Sequence, residues 1–174
     1  KGWMEWHSAD NPLNYSNLDD TYAHSGTYSA LLRERDDDGD EIVFYSEPVA
    51  AEPGKWYEIS VWARWDSVNT GEAYLPSNVV KENIAESRGM CFFFHKTWLT
   101  DAWELTGGDE FFYFDQRDST ADGWVQYHVI AQAPDDAVGL SARARFNPTS
   151  KGYCWYDDFA IREVMVVSTD VALD

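Results

Sequence analysis

Cysteine is scarce, with Cys91 and Cys154 the only two in 174 residues. A disulfide framework is therefore excluded as the main source of stability, and two thiols at this distance lack any metal-site spacing. One bridge is feasible if the strands that carry them are neighbours; otherwise both are buried thiols, and the sequence leaves the two outcomes open. Basic residues are also few. Thirteen Lys and Arg stand against 31 Asp and Glu, a formal charge of −18. That balance excludes nucleic acid and anionic membrane as partners and disfavours heavily sulfated glycans, because such anions need a basic footprint. No apolar run reaches the roughly 18 uncharged residues of a membrane helix, and no basic segment followed by an apolar one opens the chain. The start at Lys1 reads as a cut from a longer protein. Helix signals are almost missing too, confined to one turn in NVVKENIAES (78–87).

Aromatic residues are plentiful: nine Trp, ten Tyr and nine Phe. They fall in short runs rich in Val, Ile, Tyr, Phe and Trp, separated by Gly, Pro, Asp, Asn and Ser, the spacing of a sandwich or barrel. Eight runs are clear, at 28–33, 41–49, 57–65, 90–96, 111–117, 124–132, 140–147 and 153–162, and an N-terminal strand precedes them. Turn signals lie between, among them HSG at 24–26, DDDGD at 36–40, EPGK at 52–55 and PDD at 134–136. The chain is long enough for one domain and short for two, so a single module over 1–165 is expected, with 166–174 as a tail or the start of a linker. The long irregular stretch from Asp66 to Gly89 reads as a loop insertion.

Side chains alternate across a strand, which splits each run into two faces. Tyr57, Ile59, Val61, Ala63 and Trp65 form a core phase and leave Glu58, Ser60, Trp62 and Arg64 on the other side. By the same reading Gln126 and His128 point out, as do Arg143 and Arg145, while Ala142, Ala144 and Phe146 point in. The run at 111–117 sets Tyr113, Asp115 and Arg117 in one phase. If these strands share a sheet, its open face carries Trp62, Arg64, Tyr113, Asp115, Arg117, Gln126, His128, Arg143 and Arg145. Such a face suits a sugar, whose apolar ring face stacks on aromatics while its hydroxyls seek planar donors and acceptors. Four arginines on one side of so acidic a protein also point to carboxylate-bearing sugars.

One residue stands out of phase. Asp157 alternates with Trp155, Phe159 and Ile161, so it points toward the interior or its rim, where a carboxylate needs a partner. Calcium is the natural one, with Glu5 on the N-terminal strand and the turn around Ser25 as further oxygen donors; a backbone amide or an arginine is the alternative.

Four segments taken together, AHSGTYSALL (23–32), PGKWYEISVWAR (53–64), GWVQYHV (123–129) and YCWYDDFAIREV (153–164), resemble the carbohydrate-binding modules grouped around families 4 and 9, with kin in families 16 and 22. Their order spans nearly the whole chain. The resemblance implies an all-β jelly-roll β-sandwich of two antiparallel sheets and a polysaccharide ligand on a concave sheet. It also implies a structural calcium near the N-terminal strand, held by the HSG turn and the first aspartate of DDF, which is Asp157. Its further implication is a non-catalytic, extracellular, monomeric module covalently linked to a polysaccharide-degrading catalytic domain.

Competing readings are weaker. Asp36, Asp38, Asp40 and Glu47 imitate an EF-hand loop, but the glycine misses position 6 and no flanking helices are visible, so a hairpin turn is expected. A jelly-roll polysaccharide lyase acting on a uronate polymer is the enzymatic alternative, with Arg143 or Arg145 as charge neutraliser and His128 and Tyr113 as candidates for proton transfer. A structural or adhesive spacer without ligand is the third.

Overall fold

The computed structural model describes residues 3–7, 15–34, 42–66, 88–95, 110–113, 123–146 and 152–166. Among them are eleven strands: β1 (Trp3–His7), β2 (Tyr15–Asp19), β3 (Ser29–Glu34), β4 (Ile42–Ser46), β5 (Val49–Ala50), β6 (Trp56–Asp66), β7 (Arg88–His95), β8 (Glu110–Tyr113), β9 (Val125–Gln132), β10 (Gly139–Phe146) and β11 (Gly152–Val164). They form two antiparallel sheets. The six-stranded sheet runs β1-β4-β10-β7-β8 with β5 also on β10, and the five-stranded sheet runs β2-β3-β11-β6-β9. The all-β sandwich expected from the sequence is the observed architecture.

All eight aromatic runs form strands, and the N-terminal segment forms a ninth. The unexpected one is β2, whose sequence YSNLD is dominated by turn-forming residues; it exists because its backbone pairs with β3, Ser16 opposite Leu32 and Leu18 opposite Ala30. The β5 fragment continues the course of β4 after Glu47-Pro48, where proline has no N–H to give to a ladder. At the EPGK turn, Lys55 N donates to Glu52 O at 3.2 Å and Gly54 takes φ 74°, the left-handed backbone that glycine tolerates best.

The core lies between the sheets. From β6 come Ile59, Val61, Ala63 and Trp65; Leu32, Tyr127, Cys154 and Tyr156 join them from the same sheet, and Leu140, Ala142 and Ala144 close it from β10. Alternation assigned the β6 and β10 residues and Tyr127 to the inside, whereas it put Cys154 and Tyr156 in the phase opposite to the one taken as inward. Cys154 is a reduced thiol buried here. Its strand β11 and the β7 strand of Cys91 lie in different sheets.

Strand β11 breaks the alternation that placed Asp157 on the inner phase. Asp157 is opposite Trp62 and Ala160 is opposite Ser60, so Asp158 and Phe159 together face the single residue Val61. This β-bulge adds one residue and reverses the phase. Before it, Cys154 and Tyr156 point inward while Trp155 and Asp157 stand on the outer face; after it, Phe159 and Ile161 pack against the core. Asp158 sits in the bulge at φ 49°, a region that Asp enters more readily than bulky residues.

Candidate functional site

The nine candidate ligand residues do not share one sheet. Trp62 and Arg64 on β6 and Gln126 and His128 on β9 belong to the five-stranded sheet, whereas Tyr113 on β8 and Arg143 and Arg145 on β10 belong to the six-stranded one. Asp115 and Arg117 lie outside the described residues. The single open face is thus corrected to two, turned away from each other across the core. Alternation reports which side of a strand a residue takes but not which strands are neighbours.

On the five-stranded sheet the aromatic residues are engaged by one another. Segment 20–28 crosses this face and puts Tyr22 and His24 over it. The His24 ring stacks on Trp62 at 3.9 Å and meets Trp124 edge-on at 5.8 Å. The Arg64 guanidinium lies 3.8 Å from the Tyr22 ring centre, and its buried Nε has no acceptor among the described residues. Tyr22 also abuts Trp155 at 4.9 Å, whose indole N–H donates to Asp19 at 2.8 Å. Arg64, expected to meet a ligand, therefore holds the crossing segment down.

The bulge anchors that segment. Asp157 Oδ2 accepts the backbone N–H of His24 at 2.8 Å and of Ser25 at 3.1 Å, and Oδ1 accepts the N–H of Asp158 at 2.8 Å. The Asp158 carboxylate takes the Ser25 hydroxyl at 2.6 Å and pairs with His24 Nδ1 at 2.7 Å. The hydroxyl of Ser25, then the His24 imidazole, hold the Asp158 carboxyl below its ordinary range. Asp157 and Ser25, two of the three candidate calcium ligands, thus meet, but through the backbone N–H of Ser25, whose hydroxyl goes to Asp158. Glu5 is on β1 in the other sheet, opposite Phe44. Among the described residues no cluster of three or more metal-ligating side chains occurs. Asp157 is thus a carboxylate at the position where the fold resemblance would put one.

Farther along the same face, three strands are tied by charge. Glu58 on β6, only 7% exposed, accepts from Arg162 Nε on β11 and pairs at 2.7 Å with His128 Nδ1 on β9. Arg162, and after it His128, pull the Glu58 carboxyl below its ordinary range against the opposing effect of burial. Sequence phase had put Glu58 and His128 on this face, but nothing in it paired them.

The six-stranded sheet presents a different outer face. Register sets Tyr45 and Cys91 on either side of Arg143, and in the next row Val43 and Gly89 on either side of Arg145, with Tyr113 beyond Gly89. Glycine puts no side chain between the positions of Arg145 and Tyr113. Val43 is fully buried and Ser141 is 2% exposed, although neither belongs to the core cluster. On this face Arg143 and Tyr45 are half-buried.

No family model matches this sequence, and no curated protein matches it. Solved structures do. The family 16 carbohydrate-binding module-2 aligns over 85% of this chain and 85% of its own, at TM-score 0.52 and 17% identity. The fold is that of carbohydrate-binding modules. A C-terminal family 22 carbohydrate-binding module of Clostridium thermocellum aligns over 96% of this chain and 88% of its own, at TM-score 0.51 and 15% identity. The enzymatically active domain of bacteriophage CBA120 tailspike protein 4 gives TM-score 0.62 at 10% identity over 94% of this chain, which spans 19% of that one. The likeness to family 16 and 22 modules that the four sequence segments suggested is present in the fold.

Proposed function

We propose that this chain is a non-catalytic carbohydrate-binding module of a secreted protein, joined to a polysaccharide-degrading domain, with its ligand on the outer face of the six-stranded sheet. The observation that carries the reading is the row around Arg143, with Tyr45 beside it and the Arg145, Gly89 and Tyr113 positions in the adjoining row. An arginine offers a planar fork to vicinal hydroxyls or a uronate carboxylate, and a neighbouring aromatic offers a surface for the sugar ring. The fold shared with family 16 and family 22 modules supports it. Its test is retention on immobilised neutral and uronate polysaccharides. Arg143→Ala should lower affinity at least tenfold, since a hydrogen bond to a charged group contributes about 1.5–3 kcal/mol, with an unchanged unfolding midpoint. Unaltered retention removes this face.

The lyase alternative loses its constellation. Its nominated His128 lies on the five-stranded sheet and its arginines on the other, and packed sheets stand about 10 Å apart before outward side chains are added. These groups do not converge on one substrate bond.

The calcium implied by the resemblance is a separate proposal. Asp157 would provide its carboxylate, with oxygen atoms of the turn at Ser25 as further ligands, and the ion would tie segment 20–28 to the sandwich. Added calcium should then raise the melting temperature and EDTA should lower it. A melting temperature indifferent to both leaves Asp157 with the amides of His24 and Ser25.

A further inference from the structure

The two outer faces differ in the sign of the charge that their strands set in register. Pairing extends the Arg143 row to Met4 on β1 and Phe111 on β8, and the Arg145 row to Trp6 on β1. Together the two rows hold ten register positions, of which two are arginine and none is aspartate or glutamate. In a chain with 31 acidic residues against 13 basic ones, the balance is reversed along the middle of this sheet. The opposite face is built otherwise. There Glu58 stands in register with Arg162 and accepts from it, and Asp157 shares the face with Trp62. A carboxylate on the neighbouring strand answers that arginine, whereas the rows of Arg143 and Arg145 contain no such residue.

A cationic band on an acidic molecule selects its ligand by charge. The net charge of −18 repels polyanions at long range, but at physiological salt that field is screened beyond about 8 Å, and a bound chain meets the local surface. Arg143 is half-buried, a place where charge is screened less than at an open surface. Hydrogen bonds from a guanidinium to a carboxylate are roughly twice as strong as those between neutral groups, and the planar fork matches a carboxylate in shape. Spacing adds a second criterion. Arg143 and Arg145 are alternate residues of β10, about 7 Å apart along one side of the strand. A lone charged sugar meets one of them; a chain with a carboxylate on successive units meets both. Two cations suit such singly charged units and are too few for a densely sulfated chain on so acidic a protein.

The geometry points to a polyuronate as the ligand class, its carboxylates meeting the two arginine positions, a class that rests on the six-stranded sheet being the ligand face. Hexamers of galacturonate, mannuronate and guluronate are titrated calorimetrically beside the same hexamers with their carboxyl groups reduced to alcohols, in about 0.15 M salt, where the Debye length is about 8 Å. At least one uronate hexamer should bind about tenfold or more tightly than its reduced form. Arg143→Gln, which keeps amide donors but removes the charge, should cut that preference at least fivefold, and Arg145→Gln should cut it too, each with the unfolding midpoint of the parent. A reduced hexamer bound as tightly as its uronate form, with Arg143→Ala weakening both, would overturn the uronate class and leave the ligand face standing. A preference that survives both glutamine substitutions would overturn it by placing the carboxylates elsewhere on the molecule. Tighter binding of a kappa-carrageenan hexasaccharide would replace carboxylate by sulfate ester. Failure of every uronate hexamer to bind overturns the class outright, while the face itself is judged by Arg143→Ala on neutral polysaccharides.

Discussion

Glu58 shows how a charged side chain is made acceptable in a nearly buried position. Arg162 and His128 reach it from strands on either side, and their hydrogen bonds outweigh the desolvation that opposes its ionisation. Asp158 is shifted the same way by Ser25 and His24. Both carboxyls therefore bind protons more weakly in the folded chain than in the unfolded one. Their contribution is complete above the ordinary carboxylate range and is lost as pH falls through it toward the lowered folded values. Denaturant unfolding between about pH 7 and pH 3 should show stability falling with pH, and Glu58→Gln should flatten part of that slope. Equal slopes in the two proteins would mean that Glu58 is not held as described. Arg162, largely exposed, is screened by solvent, so its share in the triad is orientation more than stability.

Within strand β11, the decisive feature is one inserted residue. The bulge at Asp158 and Phe159 turns Asp157 outward, where it receives the amides of His24 and Ser25, and returns Phe159 and Ile161 to the core. A β-branched residue is strained at φ 49°, by about 1–3 kcal/mol. Asp158→Val should therefore lower the melting temperature most, by roughly 2–4 °C per kcal/mol, because it loses the Ser25 and His24 contacts as well. Asp158→Gly should lie between Val and Asn, since glycine accepts the backbone but not the two partners. The reverse order, with Val best tolerated, would mean the bulge is absent in solution. The sequence registered the bulge only as an aspartate out of phase in YCWYDDFAI, and only pairing with β6 reveals that two residues face one.

For the whole molecule, the sandwich keeps two outer faces of unlike chemistry on one shared core. The six-stranded sheet carries a half-buried arginine beside a tyrosine; the five-stranded sheet carries a crossing segment, an aromatic group and compensated charges. Trp65 is 1% exposed at the centre of the packing between them, with Tyr127 at 6.0 Å ring to ring. Trp65→Ala should cost about 3–5 kcal/mol and weaken both faces together, as read by chemical denaturation beside glycan retention. A loss confined to retention would place Trp65 in a site rather than the core. Most of the core was legible in advance, since Val61, Ala63, Leu140 and Ala144 obey an alternation that burial imposes on every half-buried strand. The separation of Trp62 from Arg143 was not, because they reside on strands whose neighbours are chosen by the chain's path.

Local composition and period-two patterning sufficed to make this chain all-β, to assign most inward residues and to place Gln126 and His128 outside, because those features depend on a residue's own strand. Strand order, the bulge in β11, the pairing of Glu58 with Arg162 and His128, and the division of the candidate residues between two faces were decided only by the fold. Each depends on contacts between segments far apart in the chain, and alternation within one strand carries no record of its partner.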